Sequence, residues 1–333
     1  MDLSPAAAAY PGHLYIHDLS PFIVQFTQKI GIRWYGMAYL AGLAWGYWVM
    51  RRWCLAGRAP LAVAEIQDFV LSGGLGMIIG GRLGYCLLYA WPQMLHDPLF
   101  IFRLTDGGMA SHGGMLGLGA GALWFAWRRK RSIPVLVDIL CATGPMGVAL
   151  GRIANFINGE LWGREAFSAP LAVIFPASVD ASSLAPAGLG GAAFEQWMTD
   201  HAGEVRAWQI AHAVPRHPSQ LYAMFLEGFL LLLILVPFHA RHRKPGLTTG
   251  LFCMLYAIAR YCDEFFREPD AGYALFFGWM SKGQMYSIPF FVIGVAIFTW
   301  AARRPAQPGA YLPPAPPAHP APQAAPSPAP AAL

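Results

Sequence analysis

From Gly228 to Phe238 the chain reads G-F-L-L-L-L-I-L-V-P-F, and Glu227 is the only formal charge between His217 and Phe238. A run this apolar and unbroken suits a helix across a hydrocarbon core of about 30 Å, which takes roughly 20 residues. The apolar residues are continuous rather than alternating, which argues against barrel strands. Working outward, six more runs are long and apolar enough: Trp34–Met50, Ile66–Ala90, Met109–Trp127, Ile133–Asn155, Gly250–Phe266 and Gln284–Ala302. The last contains no Asp, Glu, Lys or Arg. Over all 333 residues 56% are hydrophobic, 14% aromatic and only 12% charged, about half the charge of an average soluble domain at roughly 25%. The expected fold is therefore an all-α, polytopic integral membrane protein of about seven transmembrane helices.

Basic residues set the expected orientation. Arg51, Arg52 and Arg58 lie between the first two runs, Arg128 to Arg131 between the third and fourth, Arg241, Arg243 and Lys244 between the fifth and sixth, and Arg303 and Arg304 after the seventh. These places alternate with poorer loops, so the positive-inside bias puts them in the cytoplasm, the N-terminus outside and the C-terminus inside. Residues 1–28 lack a basic leader and a small-residue cleavage site, and read as an external arm. The membrane domain covers 29–302, with an external segment, 156–216, inserted between spans four and five. In that segment Phe194, Trp197, Met198, Val205 and Trp208 recur at near-helical spacing, as expected for a helix on the bilayer surface or a small soluble helix. Residues 303–333 read as a disordered Pro/Ala-rich cytoplasmic tail.

Several features read as structure rather than chemistry. Gly76, Gly80 and Gly84, Gly113, Gly117 and Gly121, and Gly147 and Gly151 repeat every four residues, the spacing that lets helices touch backbone to backbone. The five Cys residues form no C-x-x-C pair and read as buried thiols. With no metal-binding pattern and no strand followed by G-x-G-x-x-G, neither a metal nor another cofactor is expected. Nucleic acid is not an expected partner, because topology accounts for the basic loops.

Charges inside the spans are more informative, since an ionised group at mid-bilayer costs roughly 2.5–3.5 kcal/mol on insertion scales. The spans hold Arg82, Asp138, Arg152, Glu227, Arg260, Asp263 and Glu264. Given the orientation, Tyr35, His112, Arg152, Asn155, His217, Gln220, Arg260 and Glu264 gather near the outer ends of five different spans. A single Arg near a span end reads as snorkelling, but five converging spans read as a site. Arg260 and Glu264, at i,i+4, can pair, as can Tyr256 with Arg260. Arg152 and Asn155 share a face at i,i+3. Two guanidinium groups among Asn, His and Gln form a plausible cradle for an anion such as a lipid phosphate. Asp138 and Glu227 read as caps or helix–helix partners.

The string G-R-I-A-N-F-I-N-G-E-L-W-G-R, Gly151 to Arg164, resembles the signature of prolipoprotein diacylglyceryl transferases. It is joined by R-W-Y-G at Arg33–Gly36, S-H-G-G at Ser111–Gly114, H-P-S-Q-L-Y at His217–Tyr222, and the stretch from Tyr256 to Asp270. Ala223 stands where the family usually has Glu, and Arg164-Glu165-Ala166 departs from its usual continuation. The resemblance implies a multi-pass enzyme of the bacterial cytoplasmic (inner) membrane with its active site facing the outer leaflet. Its partners would be phosphatidylglycerol, membrane lipids and the lipobox Cys in the signal peptide of a prolipoprotein. It also marks Tyr35, Glu160, Gly163 and Tyr256 as functional; spacing alone does not select Glu160 or Gly163.

For displacement at a glycerol carbon by a thiolate, the substrate thiol, with an ordinary pKa of about 8.5, must lose its proton. His112 is placed to be that base or to orient the thiol by hydrogen bonding. Arg152 and Arg260 suit the developing phosphate charge. Asn155 and Glu264 are candidates to hold the two Arg residues. The alternative from another class is a transporter or flippase for an anionic lipid or solute, which intramembrane charges and Gly-interrupted helices would also serve.

Overall fold

The computed structural model describes residues 14–27, 30–103, 108–269 and 275–312, without the side chains of Ser111 and His112. Each of the seven runs is helical: α1 (Trp34–Leu55), α2 (Ile66–Leu88), α4 (Ser111–Arg128), α5 with α6 (Ile133–Thr143, Pro145–Ile157), α9 with α10 (Ser219–Ala223, Leu230–Arg241), α11 (Leu247–Asp263) and α12 (Lys282–Arg303). A short helix, α3 (Trp91–His96), follows α2. Four stretches are long and apolar enough to cross a membrane: Val63–Leu88, Ile133–Ile157, Ser219–Arg241 and Lys282–Arg303. The helix α11 is shorter, at 17 residues, and the apolar character of α1 and α4 is diluted by Trp, Tyr and Gly in α1 and by Gly and Trp in α4. Leu116, Leu233 and Val292, all mid-helix, are 76%, 71% and 60% exposed. An apolar outer surface of this kind belongs in lipid, not water.

Two runs depart from plain α-helix. The fourth breaks at Gly144–Pro145, because Pro145 has no N–H to donate and its ring crowds the preceding turn. The fifth passes through a π-helical turn, Met224–Phe229, that contains Glu227; such turns shift the register of side chains and recur at functional sites.

The glycine reading divides. On α2 and α4 it fits well: a Cβ on Gly76 would lie 2.2 Å from the Gly117 carbonyl oxygen, and one on Gly121 2.1 Å from that of Ser72. At Gly147 and Gly151 a Cβ would meet nothing within 4 Å, so close packing does not account for them.

The polar ends also differ from expectation. The arm is not featureless: β1 (Tyr15–Ile16) pairs in parallel with β4 (Val173–Ile174), which pairs antiparallel with β5 (Pro215–Arg216). A second pair, β2 (Phe22–Gln25) with β3 (Gly31–Arg33), leads directly into α1. The amphipathic pattern after Phe194 is two helices, α7 (Gly191–Asp200) and α8 (Ala202–His212). Val205 and Ile210 on α8 are buried, and Arg206 and Gln209 donate to the His17 and Val179 carbonyls, so α8 packs on the strand unit. Nor is the chain after 302 wholly a tail. Residues 303–312 fold back, the Gln307 amide donates to the Arg243 carbonyl, and Tyr311 is 1% exposed within the core. An aromatic anchor that large outweighs the Pro and Ala around it.

Candidate active site

Arg152 projects from α6, where it is one-sixth exposed and joined to Glu227 at 2.8 Å. Both its Nε and Nη2 donate to one Glu227 oxygen, Oε2, so Nη1 has no partner among the described residues. The other Glu227 oxygen accepts from Arg260 Nη1 at 3.3 Å. Arg260, on α11, also donates to Asp263 at 3.0 Å and to Glu264. Glu227 is fully buried, and it ties the two guanidinium groups, from α6 and α11, into one unit. Breaking such a pair from one side leaves an uncompensated buried charge, which costs roughly 3–5 kcal/mol.

Glu264 is fixed from its far side. Ser281 Oγ donates to it at 2.5 Å, and a Cβ on Gly283 would fall 2.4 Å from its Cδ. Ser281 also opens α12 as a capping box with Gln284. The start of the last helix thus determines where Glu264, and through it Arg260, can sit.

A second cluster adjoins the first along α6. Glu160 Oε1 accepts from Tyr35 on α1, and from Asn155 Nδ2 at 2.9 Å; Asn155 in turn donates to the Tyr35 hydroxyl oxygen. Gln220 Nε2 holds the Glu160 carbonyl at 2.7 Å. The chain reaches Glu160 through Gly159 at φ +66° and leaves through Leu161 at φ +57°, two left-handed residues that turn it sharply back over the helix end. Gly163 comes next. Its amide donates to the His217 carbonyl at 2.8 Å, and a Cβ there would lie 2.5 Å from the Phe266 oxygen and 2.6 Å from that of His217. Only glycine fits this crossing of three strands of chain, which gives Gly163 a backbone role.

The structure therefore joins Arg152, Arg260 and Glu264 through Glu227, and Tyr35, Asn155, Glu160 and Gln220 through a separate hydrogen-bonded set. Three expectations change. Arg152 is held by Glu227 and not by Asn155, which turns to Tyr35 and Glu160. No hydrogen bond among the described residues joins Tyr256 to Arg260; the Tyr256 ring instead stacks on Phe252 and meets Phe290 edge-on. His217 packs its ring on Phe266 and lies 3.3 Å from the Tyr222 hydroxyl, beside the Gly163 crossing. His112 is in the first turn of α4, and its side chain lies outside the described residues. The sequence reading makes Glu227 a cap or helix–helix partner, gives Asp263 no part in the site and does not select Ser281. Two buried Arg residues needing carboxylates could have pointed to Glu227, and S-x-x-Q before an apolar run to Ser281.

Among the charged residues of the helices, two behave structurally. Asp138 accepts from the Gly246 and Thr249 amides, both at 2.8 Å, and caps α11. Arg82 donates to the carbonyls of Phe100, Ile101, Arg103 and Gly108 at 2.5–3.1 Å and gathers the loop after α3.

Fold and site together define a helical membrane protein with a buried, shared-carboxylate pair of arginines. The family profile for prolipoprotein diacylglyceryl transferase matches residues 21–300. A phosphatidylglycerol–prolipoprotein diacylglyceryl transferase of Pectobacterium atrosepticum is 39% identical over 279 residues, 84% of this chain and 92% of the relative. Proteins of the same name from Proteus mirabilis and Cronobacter sakazakii are 40% and 38% identical, over 83% and 89% of this chain and 90% and 98% of theirs. The chain belongs to the prolipoprotein diacylglyceryl transferase family. The transporter alternative is not favoured.

Proposed function

We propose that this protein transfers the sn-1,2-diacylglyceryl group of phosphatidylglycerol to the thiol of a prolipoprotein's lipobox cysteine, the first step of bacterial lipoprotein maturation. A C–S thioether forms and the C–O bond to phosphate breaks, its electron pair leaving with glycerol phosphate. The observation that carries this reading is the Arg152–Glu227–Arg260 unit in a chain of this family. Glu227 fixes both guanidinium groups while leaving Arg152 Nη1 free to donate to a phosphate oxygen. Donors fixed in advance in a low-dielectric site stabilise charge that grows on the leaving group, and removing one such donor typically slows turnover by 10²–10³.

Glu264 and Ser281 position Arg260. The Tyr35–Asn155–Glu160 set lines the neighbouring part of the site and, with Gln220, His217 and Tyr256, shapes the space for the diacylglyceryl group and the incoming cysteine. Gly163 keeps the crossing behind it closed. His112 takes the thiol proton. No nucleophile of the enzyme's own is needed, in keeping with Cys residues outside both clusters.

The protein crosses the inner membrane seven times, with the N-terminus and the 156–216 segment outside and the C-terminus in the cytoplasm. The charge alternation of the loops supports this orientation, as do seven helices that match the seven apolar runs. The site then opens to the outer leaflet, where the phospholipid and a translocated precursor are both present.

The test is a mass-resolved reaction of purified protein with phosphatidylglycerol and a lipobox peptide, run beside a Cys→Ser peptide. A diacylglyceryl increment on the Cys peptide alone, with stoichiometric glycerol phosphate, is the expected result. No increment on either peptide, with lipid still bound, would overturn the proposal in favour of lipid binding or transport.

A further inference from the structure

At the end of α2 and α4 opposite His112, a cavity of about 510 Å³ opens on the outer face of the helix pair. Its apolar walls are Leu71 and Leu75 from α2 and Trp124 from α4, all exposed. The glycine contact between the helices runs down to Gly121 and Ser72, so the cavity is a shallow trough along a tight seam and not a gap between helices. Its mouth is basic. Arg128 is exposed and forms no ion pair among the described residues. Arg129 pairs with Asp68 at 2.7 Å through Nη2, and its other guanidinium nitrogens have no hydrogen-bond partner among the described residues. Arg128 and Arg129 against Asp68 leave the mouth net positive.

An apolar trough that faces hydrocarbon and ends in guanidinium groups matches the two parts of a phospholipid. The acyl chain would lie on Leu71, Leu75 and Trp124, and the phosphate would accept from Arg128 and Arg129. The same charges would only weakly favour a zwitterionic headgroup, whose own cation they repel. We propose that this trough is a binding site for an anionic phospholipid of the leaflet opposite the candidate active site, distinct from the substrate site. Its assignment to the cytoplasmic leaflet rests on the orientation proposed above; the site itself does not.

The test uses the full chain in non-ionic detergent with diazirine-bearing phosphatidic acid, beside the matching phosphatidylcholine. Peptide mapping should place the phosphatidic acid label on 68–75 and 124–129. With each basic residue near an anionic surface contributing about fivefold, the Arg128→Gln, Arg129→Gln double variant should lose roughly thirtyfold in labelling there. Both positions are exposed, so folding should survive. The Arg152→Gln variant should keep this label even though its proposed substrate site is damaged, which separates the inference from the proposed transferase activity. Equal labelling by phosphatidylcholine, unchanged labelling in the double variant, or loss of the label in an Arg152→Gln protein that keeps the parent's melting temperature would each overturn the proposal.

Discussion

Arg82 and Arg260 are both buried arginines on apolar helices, and the sequence presents them alike. Arg82 is 3% exposed, and among the described residues its guanidinium donates to four backbone carbonyls of one loop. Arg260 is 14% exposed and shares one carboxylate with Arg152, that of Glu227, which belongs to neither helix. Saturation by carbonyls makes an arginine a staple. Sharing a carboxylate holds a guanidinium in place while leaving donors unused, and that is what an anion site requires.

The sharpest way to break this contrast is Glu227→Gln. Shape is kept and the shared charge is lost, so both arginines lose their common anchor. Diacylglyceryl transfer should fall by more than about a hundredfold, on the scale of a broken buried pair; near-normal transfer would mean that the two arginines are held independently. Next comes His112→Ala. As a base, His112 supplies about 10²–10⁴, and without it the remaining rate should climb with pH towards the thiol pKa of about 8.5. A pH profile like that of the parent protein would reduce His112 to an orienting role.

The seam between α2 and α4 offers a third test. Gly117→Ala puts a methyl 2.0 Å from the Gly76 carbonyl oxygen, and the helices must part, at roughly 1–3 kcal/mol. Gly151→Ala meets open space and should leave the melting temperature in detergent unchanged or slightly raised. The smallest expected effect lies outside the spans. Burial lowers the pKa of His17, so the unfolded arm takes up a proton before the folded one does. Stability of the strand unit should be full above the ordinary value of 6.5 and decline as pH falls below it. Hydrogen-exchange protection factors at Val173 and Ile174, corrected for the intrinsic pH dependence of amide exchange, should fall about threefold between pH 7.5 and 5.5, and His17→Phe should remove that dependence.

How much of this was legible depends on the range of the interaction. Helix runs, the α2–α4 seam and the Arg260–Glu264 pair rest on periodicities of three to four residues, and a sequence displays those directly. The shared role of Glu227 needs a π-turn to aim it and two other helices to receive it, at separations of 75 and 33 residues. No local pattern encodes that. Gly163 was selectable only by resemblance, since its reason is a crossing with chain near 217 and 266. The fold-back of Tyr311 was hidden by its Pro-rich setting, because composition averages over a segment while burial turns on one side chain.

The most direct measurement of the central claim is single-turnover diacylglyceryl transfer by Arg260→Lys and Arg82→Lys side by side, with their melting temperatures. Lysine keeps the charge and loses the fork. Arg260→Lys should slow transfer by about a hundredfold or more, whereas Arg82→Lys should lower the melting temperature more and slow transfer by less than about tenfold. Transfer by Arg260→Lys at the parent rate, or an equal loss in both variants, would contradict the assignment of Arg152 and Arg260 as the phosphate-binding pair.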